Sequence, residues 1–239
     1  DAMTIHSAFY KLKEEKISEE GKRELIFSEA HYEGELSHAL LLLDECSMIN
    51  EAMAQDLIRT GAKIIACGDP GQLPPVEGKQ FFSKPDITLQ TIHRQALESP
   101  IIRQAHAVRQ GKPYEADGDA FRVARHGELT PNEKVDADII LCWTNATKRA
   151  INRHVRELRG FQFMGVRVQN VNFEGVKTGL PPGVKATTWF DFGYALTVHK
   201  AQGSEWGNVI LIDEYRRKEE RKEWLYTGIT RAANKITII

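Results

Sequence analysis

The sequence is short of cysteine, of long apolar runs and of net charge, and each shortage removes a class of protein. Its three cysteines, Cys46, Cys67 and Cys142, are odd in number, lie far apart and form no CxxC pair, which argues against a disulfide framework or a cysteine zinc site. No window approaches the roughly 20 apolar residues of a membrane-spanning helix, so no membrane partner is expected. Asp1, Ala2, Met3 and Thr4 are not the start of a basic stretch leading into an apolar core, so no secretory signal is read. A soluble protein of the reducing cytoplasm is the expectation. A net charge of −1 argues against a uniformly basic coat for nucleic acid, and no internal repeat is visible.

What is present is an alternation of apolar runs and amphipathic stretches. Ala39–Leu43 ends at Asp44, Lys63–Cys67 at Gly68-Asp69, and Val209–Ile212 at Asp213, while Asp138–Cys142 leads into Trp143-Thr144-Asn145. Unbroken apolar runs of this length predict parallel strands covered on both faces. Helices are expected around 50–60, 97–110, 146–159 and 223–233, giving an α/β fold. In open sheets of this class ligands sit beyond the carboxyl ends of the strands, where these runs place their polar residues. The 239 residues fit two small domains. Residues 1–90 hold 9 Lys and Arg against 16 Asp and Glu, and residues 91–239 hold 23 against 17, so a phosphate backbone would favour the second half. Residues 11–35 read as a charged, solvated excursion, and Arg216–Glu223 as a solvated loop or helix start.

Two strand ends carry chemistry. Leu40–Leu43 delivers the adjacent carboxylates Asp44 and Glu45, the arrangement in which one acid holds Mg²⁺ and the next polarises an attacking water; a plain acidic strand end has the same pattern. Gly68-Asp69-Pro70-Gly71-Gln72-Leu73-Pro74-Pro75 is a stiff, tight loop that either merely turns the chain or holds the Gln72 amide where it senses a phosphate.

Taken in order, Thr4-Ile5-His6-Ser7-Ala8, Asp44-Glu45, Gly68–Leu73, His93-Arg94-Gln95, Thr197–Glu205 and Tyr226–Ala232 resemble motifs Ia, II, III, IV, V and VI of the superfamily 1 DNA helicases, most closely the RecD-like and Dda-like branch. The first and fourth strings are short and recur by chance; the last two are specific, as is the order of all six. The resemblance implies two RecA-like parallel-sheet lobes of a P-loop NTPase helicase core. Residues 1–90 would form the first and 91–239 the second, with a shortened insertion about 160–190. It further implies an ATP-dependent motor, with ATP and Mg²⁺ as cofactors, that moves 5′ to 3′ on single-stranded DNA in replication, recombination or repair, with other proteins of those processes as further partners.

By the same resemblance Asp44, Glu45, Gln72, Arg94 and Arg231 are catalytic. Asp44 is the Mg²⁺ ligand, and Arg94 and Arg231 are arginine fingers, suited by a permanent charge and a bidentate fork. Asp69, Gln202, Gly203 and Glu205 fall on the nucleotide side. Thr4, His6, Thr144, Asn145, Thr197, His199 and Lys200 fall on the DNA path, although His6 and His199 also fit structural histidines. The helix after Asn145 places Arg149, Arg153 and Arg156 on one face and Ile151, Val155 and Leu158 on another. Trp189, Phe190, Phe192 and Tyr194 fit base stacking or core packing equally.

Two departures matter. No GxxGxGK[ST] phosphate loop occurs in the chain, though the family carries one upstream of motif Ia and depends on its backbone cradle and lysine. The expectation is a first lobe truncated at its amino end, inefficient in hydrolysis by itself. The insertion between Gly160 and Tyr194 is also shorter than in relatives. The shortened insertion bears on processivity, and the missing loop leaves a competing reading open, a non-catalytic DNA- or protein-binding scaffold derived from a helicase lobe; an RNA motor is a third.

Overall fold

The computed structural model describes residues 3–17, 23–28, 36–89, 98–125, 127–160 and 192–239. The chain divides into two compact units, Asp1–Pro70 with Pro74–Thr88, and Gly71–Leu73 with Leu89–Ile239. Both are α/β with parallel sheets, as the apolar runs predict.

In the first unit a short helix α1 (Ile5–Phe9) starts at Thr4, whose hydroxyl accepts the Ser7 N–H at 3.1 Å. An antiparallel strand pair follows, β1 (Lys11–Ile17) with β2 (Arg23–Ser28), within the stretch read as a charged excursion. The sheet that carries the acidic pair is β3 (Leu40–Leu43) parallel to β4 (Lys63–Ala66), with Leu40 opposite Lys63 and Leu43 opposite Ala66. Between them runs α2 (Glu51–Arg59), begun by the Asn50 side chain accepting the Met53 N–H at 3.0 Å. Ala54 and Leu57 of α2 pack on Leu43, Cys46 and Ile49.

One expectation fails here. Leu40 is 55% and Leu42 72% exposed, and Ile65 is exposed with them, so this sheet is not covered on both faces by the described residues. Strand residues alternate between faces, and α2 packs against the face carrying Leu41 and Leu43, leaving Leu40 and Leu42 on the other.

The second unit holds a five-stranded parallel sheet of order β5-β9-β8-β6-β7, built from β5 (Phe121–Val123), β6 (Ile139–Cys142), β7 (Ala195–Thr197), β8 (Trp206–Leu211) and β9 (Ala232–Ile238). Its helices are α3 (Pro100–Arg109), α4 (Pro131–Asp136), α5 (Asn145–Leu158), α6 (Val198–Ala201) and α7 (Arg221–Ile229). Here the apolar runs are covered on both faces. Ile139, Leu141, Val209 and Leu211 join Ile101, Ala105, Trp224 and Ile229 on one side, while Ile140 and Ile210 join Val155 and Leu129 on the other. Gly228 lets α7 lie close on β8, because a Cβ there would come within 3.0 Å of Leu211 Cδ1.

The helix expected over 223–233 ends at Ile229, and Ala232–Ile238 is a strand. The β-branched run Ile236-Thr237-Ile238 favours a pleated, buried setting and supplies the strand between β5 and β8. Among the described residues no helix is long and apolar enough to cross a membrane.

Candidate functional site

In the first unit the main chain turns sharply after β3. Glu45 is left-handed, with φ of 53°, the single described non-glycine residue at positive φ. The conformation costs about 1–2 kcal/mol for a residue with a Cβ, so the turn is imposed by its surroundings. Those are visible: Cys67 N donates to Leu43 O at 2.7 Å and Cys46 N to Cys67 O at 2.9 Å, binding the acidic turn to the end of β4. Gly68 lies so close that a Cβ there would sit 2.8 Å from Cys46 Sγ and 3.0 Å from Cys46 N. Burial pushes the Cys46 thiol pKa upward, as does the neighbouring Cys67. Asp44 is exposed, and its Oδ1 accepts the Glu45 N–H at 2.9 Å. Asp69 stands half-buried one residue beyond Gly68.

The second unit ties three of the sequence strings into one circuit of hydrogen bonds. Leu73 is fully buried. Its N–H donates to Thr227 Oγ1 at 3.0 Å and its carbonyl accepts from Gln202 Nε2 at 3.3 Å. Thr227 O in turn accepts from Arg231 Nε at 3.1 Å, and Arg231 Nη1 donates to Ser204 O at 3.1 Å, two residues from Gln202. Arg231 Nη2 adds a bond to Thr230 Oγ1 at 3.1 Å. The guanidinium is thus buried and fixed in plane by neutral oxygens. Gln72 Oε1 and Gln202 Oε1, on either side of Leu73, are buried acceptors with no partner among the described residues. A buried acceptor without a donor costs about 1–3 kcal/mol. Gly203, with φ of 74°, makes the turn that carries exposed Ser204 and Glu205 into β8.

The remaining candidates fall at helix starts. Thr4 caps α1, and His6 is exposed with its ring 5.3 Å from that of Tyr10. Thr144 caps α5 by accepting the Thr147 N–H at 3.0 Å, and Asn145 next to it is exposed. Thr197 is buried and caps α6, accepting the Lys200 N–H at 3.4 Å, while Lys200 is exposed. His199 is half-buried, and desolvation pushes its imidazole pKa below the ordinary value against the opposing pull of Glu220. Arg149 and Arg153 are exposed on α5, but Arg156 lies with its guanidinium carbon 4.7 Å from the Phe192 ring centroid. Phe192 stacks on Tyr194 at 6.1 Å, and Tyr194 is buried. Arg94, Trp189 and Phe190 lie outside the described residues.

Two organising residues were not anticipated. Thr227 is one, hidden in Tyr226-Thr227-Gly228; its signal is a poor helix former beside a glycine. Glu214 is the other. Its Oε1 accepts the N–H groups of Trp143 and Thr144 at 2.9 and 3.2 Å, and its Oε2 accepts the Thr147 hydroxyl at 2.8 Å. Burial pushes the Cys142 thiol up to about 12, helped by the charge of Glu214.

The chain matches the AAA domain family over residues 1–130 and the UvrD-like helicase C-terminal domain over residues 192–239. It is 29% identical to the ATP-dependent RecD2 DNA helicase of Deinococcus radiodurans over 82% of this chain, which spans 35% of that protein's length. Among solved structures, Bacteroides Pif1 bound to single-stranded DNA aligns over 98% of this chain and 78% of its own, with a TM-score of 0.59 at 17% identity. Pif1 helicase from Candida albicans aligns over 84% and 71%, with a TM-score of 0.51 at 17% identity; at such identity the likeness is one of fold. Matched over more than half its length, the chain belongs to the AAA domain family, and its carboxyl-terminal segment is similar to the UvrD-like helicase C-terminal domain.

Proposed function

We propose that the natural full-length protein is an ATP-dependent DNA helicase or translocase that couples ATP hydrolysis to 5′-to-3′ movement on single-stranded DNA during replication, recombination or repair. The observation that carries this reading is the closed circuit Gln202–Leu73–Thr227–Arg231–Ser204, which joins the segment bearing Gln72 to the turn bearing Glu205 and to the candidate arginine finger.

The residues divide the work. Glu45, held in its left-handed turn, polarises the attacking water. Asp44 presents an exposed carboxylate fit for Mg²⁺, which takes one or two carboxylates with phosphate and water. Mg²⁺, when bound, neutralises charge on the β- and γ-phosphate oxygens. Arg231, joined by Arg94, stabilises negative charge developing on the transferred phosphoryl group. Gln72 reports the state of the γ-phosphate through the bonds on Leu73, and Asp69, Gln202, Gly203 and Glu205 line the nucleotide. Thr4, His6, Thr144, Asn145, Thr197, His199 and Lys200 contact the strand, where short side chains and backbone amides at helix starts suit phosphate oxygens.

The test is ATPase activity of the full-length protein with and without single-stranded DNA. Stimulation by DNA is expected, with Glu45→Gln and Arg231→Ala each lowering turnover at least a hundredfold, on the order of single-group losses in phosphoryl transfer. No stimulation, or unchanged turnover in both variants, leaves the scaffold reading instead. Displacement of a bound end block from 3′-blocked but not 5′-blocked strands supports the polarity; the reverse outcome refutes it.

A further inference from the structure

The charged run after β8 has a defined place in the second unit. Its root is fastened to the Thr144–Asn145 turn through the three bonds accepted by Glu214. Tyr215, buried, sits 4.8 Å from the Trp143 ring and 5.2 Å from the Trp224 ring. Its far end returns at Glu220, whose Oε2 accepts the Tyr215 hydroxyl at 2.6 Å. The charges of Glu220 and Arg217 both act on the His199 imidazole. Between those ends Arg216, Arg217 and Lys218 are exposed and form no ion pair among the described residues. The acids around them are otherwise engaged. Asp213 takes both Arg221 Nη1 at 2.7 Å and Nη2 at 2.5 Å, together with the Tyr114 hydroxyl at 2.7 Å. The carboxylates of Glu214 and Glu220, still charged, are held in place by the α5 turn and by the Tyr215 hydroxyl.

We propose that Arg216, Arg217 and Lys218 form a phosphate-contacting loop that grips the backbone of single-stranded DNA between the Thr144–Asn145 turn and His199. This rests on the single-stranded DNA reading above and adds residues to it. The grip is electrostatic and indifferent to sequence: each contact releases condensed counterions from the strand, at about 0.7 per phosphate for single strands. The rigid root keeps the three cations from dispersing into solvent, while their exposure leaves them free of desolvation cost before DNA arrives.

The experiment measures affinity of the full-length protein for labelled oligothymidine across a salt series. The variant is Arg216→Gln/Arg217→Gln/Lys218→Gln, on exposed side chains that leave the core untouched. The slope of log K against log salt should become shallower by about 2 for three lost contacts. The DNA concentration for half-maximal ATPase should rise severalfold, with turnover unchanged both without DNA and at saturating DNA. A control, Lys112→Gln/Lys134→Gln/Lys235→Gln, removes the same net charge elsewhere in the unit and should keep the wild-type slope. If wild type has a steep slope and the loop variant keeps it, or the control loses as much, the loop assignment falls alone. If wild type does not bind oligothymidine, the broader DNA reading falls and takes the loop with it.

Discussion

The bond from the Leu73 N–H to Thr227 Oγ1 gives the sharpest test of how the Gln72 segment is held. In Thr227→Val the side chain keeps its shape and its place in the core but loses the acceptor. Thr227 is fully buried, as is Leu73, so the amide is left without solvent or partner, at a cost of about 1–3 kcal/mol. Against that stands the burial of the Leu73 side chain, which favours the docked segment by about 1.5–3 kcal/mol, and the weaker bond from Gln202 at 3.3 Å. The two terms are comparable, so the segment should be docked for only part of the time. The net leaves docking between about 2 kcal/mol favourable and about 1.5 kcal/mol unfavourable. At about 1.4 kcal/mol per factor of ten, ATPase turnover of the full-length protein should fall by up to about tenfold, with KM for ATP much less affected. Thr227→Ser restores the acceptor and gives up one methyl, worth about 0.8 kcal/mol, so it should recover most of the turnover. Combining Thr227→Val with Gln72→Ala should cost little beyond Gln72→Ala alone, because both act through one amide. Equal turnover in the Val and Ser variants, or full additivity in the double variant, would refute the reasoning.

Three further outcomes are expected. Glu45→Gly should abolish DNA-stimulated ATPase yet raise resistance to urea by about 1 kcal/mol, since glycine relieves the left-handed strain; a loss of stability would mean the turn is not strained. Gly68→Ala should destabilise by about 1–3 kcal/mol through overpacking on Cys46, and Cys46→Ala should restore only part of it, because the Cys46 amide lies 3.0 Å from the new Cβ. Glu133 is held down at about 2 by the Thr130 amide and hydroxyl and then by Arg122. Its ionised form therefore adds stability above pH 4.5, lost as pH falls from 4.5 towards about 2; Glu133→Gln should flatten that part of the urea-denaturation profile, and an unchanged slope would count against the capping box at the start of α4.

The apolar runs were legible because burial is nearly independent of context: Ile139–Cys142 and Val209–Leu211 can hide their side chains only in a covered sheet, and they do. At Leu40 and Leu42 the described residues cover one face of the sheet, since the partner face is a property of packing. Asp44-Glu45 and Asp213-Glu214 show the limit for the candidate site. Each is an acidic pair following a strand, and no local feature separates them. Tertiary structure does: Asp213 is consumed by Arg221 and Tyr114 and Glu214 by the α5 turn, whereas Asp44 stays exposed and Glu45 is twisted to positive φ.

By itself the sequence determined the alternating α/β class, the strand ends at which polar residues gather, and the six ordered strings that resemble helicase motifs, because hydrophobic period and motif spacing are local properties of the chain. Only the tertiary structure decided that Leu73 is fixed by Thr227 and Gln202, that Arg231 lies in a turn before a strand, and that Arg216–Lys218 follow a root bound to the Thr144–Asn145 turn through Glu214. Those facts depend on hydrogen bonds between residues up to 154 positions apart, and no periodicity records a contact made at that distance.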